Sequence, residues 1–419
     1  MGETPPPAPF PSRGPVSERA PTSGSDYTGG MTAPRRGRRV SLDQRTGVVG
    51  SRAPGVWNRG HMVRAEVDIA AVRGNLERLR EWLPRQVSVL FVVKEDAYGH
   101  GLRRVARAAE GIADWFGVAY LHEARALRRT GCAQPIFIMT PPVGAALVQA
   151  VREGYHLPLG DSGMIPEIEA AAARAGKRAL VHIEVDTGMG RYGLLPEEVD
   201  RALEVFRPDR IEVAGVYSHL SSANGRSEED LEFTRAQVWW FRHILQEWER
   251  RGIAIRCRHL ANSAAVLAFD EATAAPLNMV RVGTAAYGYP EGPVAPPVEL
   301  VPAARAWTEI AAVRDLPRGW PVGYGRQYVT PDAARMAILA AGYGDGLRPE
   351  LKRVTIRGHV AEIVGNLSMD SVAADVTELT SVKRGDRALL FGPGVSGHQG
   401  WICPVLVPVL LSAHRRWTG

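Results

Sequence analysis

The chain has 419 residues, 45% of them hydrophobic, and a formal charge of +6, so it exceeds one typical domain and is apolar enough to fill more than one core. Residues 1–62 hold nine arginines, no lysine and four acids, a net of +5 that leaves the rest near +1; basicity confined to that arm excludes a charged stripe on a folded face and gives no reason to expect nucleic acid as a partner. Cys132, Cys257 and Cys403 lie at unrelated spacings, which excludes a disulfide framework and a zinc pattern and fits a reducing cytosol.

Residues 1–62 are rich in Pro, Gly, Ser and Arg without apolar periodicity and cannot bury enough surface to offset the entropy of ordering, so a disordered arm is expected. No apolar core of a signal peptide follows its arginines. Met62 directly precedes the alternating run from Val63 to Ile69, so a functional tail and a true start at Met62 both fit. The longest apolar run, Trp401 to Leu411, contains two prolines and is too short to span a bilayer. These features predict a soluble, cytoplasmic protein with no membrane partner.

From residue 63 to 292, short Val/Ile/Leu-rich runs alternate with helical stretches. After an introductory helix, eight strands are predicted over Val87 to Lys94, Phe116 to Tyr120, Pro135 to Thr140, His156 to Gly160, Ala179 to Asp186, Ile211 to His219, Arg256 to Leu260 and Met279 to Ala286. Helices are expected between them, among them Val105 to Ile112, His122 to Thr130, Met164 to Ala175 and Glu229 to Arg251. This is the count and size of an α/β (β/α)8 TIM-type barrel.

A barrel collects its chemistry at the C-terminal ends of its strands. The first strand ends in Lys94, followed by Glu95-Asp96-Ala97-Tyr98-Gly99-His100-Gly101. There desolvation lowers an amine's pKa and makes it a nucleophile towards a carbonyl, although a lysine snorkelling from a strand end fits the local pattern too. The fifth strand runs into Asp186-Thr187-Gly188-Met189-Gly190-Arg191, the sixth ends in Ser218-His219, the seventh reaches Asn262-Ser263, and the eighth carries Arg281 and then Gly283-Thr284. Each has a plain alternative: a core histidine, a solvated arginine, a helix cap. Jointly, five decorated strand ends point to one site. Glycine at 283 admits backbone amides close to a phosphate, and a cofactor with a phosphate and an aldehyde, such as pyridoxal 5'-phosphate, fits both ends. A Schiff-base aldolase of sugar phosphates fits as well.

Residues 293–419 change rhythm to alternating runs without long helices: Ala306 to Val313, Met336 to Ala340, Val354 to Ile356, His359 to Val364 and Ala388 to Phe391. They predict a smaller all-β C-terminal domain. It holds Gly323-Tyr324-Gly325, Gly342-Tyr343-Gly344-Asp345-Gly346 and Ser368-Met369-Asp370, either exposed turns or an aromatic rim to a site.

The run Val92-Val93-Lys94-Glu95-Asp96-Ala97-Tyr98-Gly99-His100-Gly101, together with Asp186-Thr187-Gly188-Met189-Gly190-Arg191, Asn278-Met279-Val280-Arg281-Val282-Gly283 and Gly342 to Gly346, resembles the motifs of alanine racemases, pyridoxal-phosphate enzymes of fold type III, over residues 64 to about 392. The resemblance implies interconversion of L- and D-alanine for peptidoglycan. Lys94 would carry the cofactor and act as one base, with Tyr324 as the other. Tyr98, Asn262, Ser263, Gly283 and Thr284 would lie near the cofactor phosphate, His219 would support the ring and Arg281, and Arg281 would face the pyridine nitrogen. Arg191 would orient Tyr324 and substrate, Met369 would meet the substrate carboxylate with Asp370 supporting it, and Tyr343 would line the entrance. A head-to-tail homodimer is implied, with Tyr324 and Met369 entering from the partner.

The chain departs from the family in two places. Glu184 stands where many relatives carry a lysine, often carbamylated, and is expected to brace Arg191 in its place. From about residue 399 the tail reads Gly-Trp-Ile-Cys-Pro and onward without the family's further active-site tyrosine, as a frameshift would produce. A racemase of broader amino-acid range, and a non-catalytic pyridoxal-phosphate binder disabled by that tail, are the alternatives.

Overall fold

The computed structural model describes residues 63–392 apart from Val294. The arm 1–62 and the atypical tail from about residue 399 lie outside the described residues.

The first strand, β1 (Arg64–Val67), leads into a helix over Ile69–Trp82, whose start is capped by Asp68 accepting from the amides of Ala70 and Ala71. Eight parallel strands then close into a barrel: β2 (Ser88–Val92), β3 (Trp115–Val118), β4 (Ile136–Ile138), β5 (His156–Leu159), β6 (Ala179–Glu184), β7 (Ile211–Tyr217), β8 (Cys257–His259) and β9 (Met279–Val282). All eight are where the apolar runs place them, because strands covered outside by helices and packed inside read as continuous hydrophobic segments. Every residue of β3, β4 and β5 is buried. The predicted ends are trimmed: β9 stops at Val282, and Thr284–Tyr287 forms a 3-10 turn.

The second domain is built from β10 (Ala304–Leu316), the hairpin β11 (Pro321–Val322) and β12 (Tyr328–Val329), then β13 (Ala334–Leu339), β14 (Arg353–Ile356), β15 (His359–Val364), β16 (Val372–Asp375) and β17 (Arg387–Phe391). Its sheet runs β1-β10-β13-β16-β15-β14-β17, and β17 pairs back onto β10, so β10 and the strands from β13 to β17 form a ring around Ile310, Leu339, Val354, Ile356 and Leu390.

One assignment changes. The sequence places residues 63–68 with the barrel, but β1 pairs antiparallel with β10, Arg64 opposite Trp307 and Val67 opposite Ala304. A local alternating pattern identifies a strand but not the sheet it joins. The crossing is secured by buried Asn75, which donates to the carbonyls of Val301 at 2.7 Å and Ala286 at 3.1 Å and accepts from the Val301 amide at 2.8 Å. Among the described residues, no helix is long and apolar enough to cross a membrane.

Candidate active site

At the C-terminal mouth of the barrel lies a cavity of ≈ 280 Å³. Its wall includes all the residues predicted on the barrel to hold a cofactor: Lys94, Tyr98, His219, Asn262, Ser263, Arg281, Gly283 and Thr284. Met139, Asn224 and Glu291 also line it; these carry no motif, and only the closed barrel reveals them, whereas Met189, also in the wall, belongs to the run from Asp186 to Arg191. A larger, apolar groove of ≈ 660 Å³ between Tyr120 and Gln149 contains none of the predicted site residues.

Lys94 lies two residues beyond the end of β2, and its amine is held below the ordinary lysine value, first by burial and then by the positive charge of Arg191. The chain beyond it makes an unusual turn. Glu95, Asp96, Ala97 and Tyr98 all adopt left-handed conformations, with φ of 52°, 54°, 58° and 52°, which costs roughly 1–2 kcal/mol per non-glycine residue. Hydrogen bonds offset this. Ala97 N donates to Val93 O and Gly99 N to Glu95 O, each at 2.9 Å, and Asp96 Oδ1 accepts from Leu102 N at 2.9 Å. Buried His100 donates through Nδ1 towards the carbonyls of Tyr98 at 3.0 Å and Ala97 at 3.2 Å. Sequence reading missed Glu123, whose buried carboxylate accepts from Glu95 N at 2.6 Å and from Ala119 N at 2.8 Å, tying the turn to the end of β3.

The opposite wall is made by β8, β9 and the turns after them. The amides of Gly283 and Ala285 donate to Ser263 Oγ at 2.8 and 3.2 Å, while Asn262 caps the helix Ser263–Ala268 by accepting from Ala265 N at 3.0 Å. A Cβ at position 283 would lie 2.9 Å from the Tyr98 hydroxyl, so glycine keeps open a cradle of hydroxyls and amides suited to a phosphate.

Arg281 is buried. Its Nη2 donates to the carbonyls of Ser218 at 2.8 Å and Leu260 at 2.9 Å and approaches His219 Nδ1 at 3.2 Å; its Nη1 reaches His259 Nδ1 at 3.0 Å. A guanidinium only donates, so His219 is held as an acceptor at Nδ1. Burial and the Arg281 charge push His219 down to about 3, keeping it neutral. The His219 carbonyl is itself held by Gln237 Nε2 at 3.2 Å. Glu184 does not meet its expected partner: its Oε2 accepts from the Tyr217 hydroxyl at 2.6 Å, whereas exposed Arg191 lies against the Tyr192 ring.

The β-domain candidates stand apart from the cavity. Tyr324 is 73% exposed, Met369 61% and Tyr343 53%, yet their backbones are fixed. Asn366 Nδ2 donates to Tyr324 O at 2.9 Å, and the amides of Tyr343 and Gly344 donate to Ser368 O at 3.0 Å and Met369 O at 2.7 Å. Asp370 is exposed beside Ser371. Hydrogen-bonded backbone thus presents three exposed large side chains on the β domain.

The donor set suits pyridoxal phosphate: a desolvated amine for the aldehyde, a hydroxyl-and-amide cradle for the phosphate, and a buried guanidinium in the same wall.

Comparison with known proteins agrees with this arrangement. Residues 67–291 match the family described as "Alanine racemase, N-terminal domain" and residues 303–401 "Alanine racemase, C-terminal domain". An alanine racemase of Beutenbergia cavernae is 38% identical over 344 residues, covering 80% of this chain and 89% of that protein. The solved alanine racemase of Streptomyces coelicolor superposes with a TM-score of 0.73 at 30% identity, over 83% of this chain and 96% of that one. That of Bartonella henselae, described as having covalently bound pyridoxal phosphate, gives 0.69 at 25% identity over 80% and 92%.

Proposed function

The chain belongs to the alanine racemase family and interconverts L- and D-alanine, and we propose that it does so with two proton-transfer groups on opposite faces of the substrate, its own Lys94 and Tyr324 of the partner subunit. The observation that carries this reading is the division of the candidates. The cavity gathers the lysine and the cofactor set, while Tyr324 stands 73% exposed on the β domain and outside that wall.

Inversion needs removal of the α-proton from one face and return of a proton to the other, which two opposed bases serve in both directions. Pyridoxal phosphate, when bound through Lys94, supplies an electron sink that acidifies the substrate's α-carbon. Lys94 Nζ, with its lowered pKa, takes or returns the proton on one face, and the Tyr324 hydroxyl does so on the other. Ser263, Asn262, Thr284, Tyr98 and Gly283 would hold the phosphate. Arg281, unable to accept a hydrogen bond, would oppose protonation of a pyridine nitrogen placed against it. Arg191 orients the tyrosine base and the substrate, Met369 of the partner subunit meets the substrate carboxylate with Asp370 supporting it, and Tyr343 narrows the entrance. The assembly is a head-to-tail homodimer in the cytoplasm, and its D-alanine product serves the peptidoglycan of the cell wall.

Mixing two inactive variants tests the shared site. Lys94→Ala and Tyr324→Phe chains each lack one base, but a mixed dimer has one site with both native residues. Random reassortment should therefore restore about a quarter of wild-type turnover. No recovery after dissociation and remixing, with mixed dimers demonstrated, overturns the reading.

A further inference from the structure

The barrel interior holds three buried histidines that line neither the cavity nor the outer surface: His156 on β5, His182 on β6 and His259 on β8. They form a continuous file with Arg281. Arg281 Nη1 lies 3.0 Å from His259 Nδ1, His259 Nε2 lies 2.9 Å from His182 Nδ1, and His182 Nε2 lies 3.0 Å from His156 Nδ1.

Arg281 sets the direction of the file. Because a guanidinium only donates, His259 must accept at Nδ1, and a neutral His259 then carries its proton on Nε2. That proton is donated to His182 Nδ1, which in turn fixes the proton of His182 on Nε2 and makes His156 accept at Nδ1. All three lone pairs are then directed towards the Arg281 end of the file, and the one on His259 meets the guanidinium.

The surroundings are built for this file. A Cβ on Gly215, on the adjacent strand β7, would lie 2.4 Å from His182 Nδ1, so the missing side chain is the space the ring occupies. Phe137 stacks on His182 at 4.8 Å, Trp115 meets His156 edge-on at 4.6 Å, and Tyr217 stacks on His259 at 4.9 Å. The charges acting on the file are Arg281 at one end and Arg256 near His156, with the Glu184 carboxylate beyond Tyr217. Burial and the two arginines hold all three imidazoles below the usual histidine range.

We propose that His182 and His156 are positioning residues for Arg281: with His259 they form a one-way file of neutral, Nε2-protonated imidazoles that supports the buried guanidinium with lone pairs instead of a carboxylate. A carboxylate would pair with Arg281 and spread its charge over a salt bridge. The file holds the group in place and leaves that charge undivided. Its bearing on the reaction rests on the reading that Arg281 faces the cofactor ring.

Selective 15N-histidine NMR on the cofactor-free and cofactor-bound protein tests the file directly. The expected result is three Nε2-protonated neutral rings that do not titrate between about pH 5 and pH 9; His100, donating through Nδ1, provides the opposite tautomer as an internal reference. The cofactor-free measurement does not depend on the placement of the ring, so file and cofactor reading fail separately. His182→Phe removes both hydrogen bonds of the central ring. It should lower kcat about tenfold and give the bound cofactor's visible band a pH dependence absent from the wild type. His182→Gln, which can accept from His259 and donate to His156, should restore most of both. A file histidine protonated at Nδ1 or titrating in that range, or a folded His182→Phe enzyme with wild-type kcat and spectrum, overturns the proposal; should that variant not fold, the tautomers decide.

Discussion

The Tyr217 hydroxyl donates to Glu184 Oε2 at 2.6 Å across neighbouring strands on which the two residues are register partners. This contact redirects the role expected of Glu184. Its carboxylate holds Tyr217, whose ring lies under the Arg281 guanidinium at 5.4 Å, and burial raises its pKa against the opposing pull of that hydrogen bond.

Glu184→Gln keeps an acceptor for Tyr217 but removes the anion from the neighbourhood of Arg281 and Arg191. We expect kcat to fall several-fold with KM little changed, as measured by steady-state racemisation in both directions. Glu184→Leu leaves the buried hydroxyl unpaired and should cost about 1–3 kcal/mol of stability in urea denaturation; equal stability of the Gln and Leu variants would sink the assigned role.

The left-handed turn after Lys94 inverts the usual effect of glycine. On an ordinary helical surface Glu→Gly costs about 1 kcal/mol, but Glu95 is exposed with φ of 52°, where a side chain is itself the strained choice. Glu95→Gly should leave stability unchanged or raise it by up to about 1 kcal/mol. Thermal unfolding of the cofactor-free variant reads this, and a clear loss of stability would contradict the turn.

Gly283→Ala places a methyl group 2.9 Å from the Tyr98 hydroxyl, within the cradle assigned to the phosphate. Cofactor affinity should weaken about tenfold while the circular dichroism stays that of the wild type. Spectroscopic titration of the apoenzyme with pyridoxal phosphate measures this; unaltered affinity would separate Gly283 from the phosphate.

Acid stability follows from histidines buried as neutral rings. Burial pushes His100 and His156 each down to about 4, against an ordinary value near 6.5. Between those values the unfolded chain binds protons that the folded chain refuses, so stability falls as pH drops through the window. Glu184, with a raised pKa, pulls the other way as a single group. Each histidine contributes up to roughly 3 kcal/mol, and urea unfolding of the cofactor-free protein should give a markedly lower midpoint at about pH 4.5 than at about pH 7. Equal midpoints would refute the buried neutral assignments.

Local periodicity made the barrel legible, because each of its strands is a short apolar run bounded by turns or helices. Strand β16 was not, since Val372-Ala373-Ala374-Asp375 has little β propensity and is held by pairing with β13 and β15. The site residues on the barrel were readable as decorated strand ends. Glu123 and the histidine file were not, because a helix-start glutamate and isolated histidines acquire a role only when distant strands meet. Four successive left-handed residues without glycine also leave no mark in composition; Asp96 and His100 hold that conformation through local hydrogen bonds, and Glu123 through one from just beyond the end of the next strand.

The pairing of Arg64–Val67 with Ala304–Leu316 has a consequence for synthesis. A ribosome adding about 5–20 residues per second produces the partner of the first described strand roughly 10–50 seconds after that strand emerges. The barrel can close before then, but β1 must wait as an unpaired edge, the kind of segment that recruits other nascent chains. Its brevity, and the charges of Arg64 and Glu66 along it, limit such pairing until the C-terminal sheet arrives.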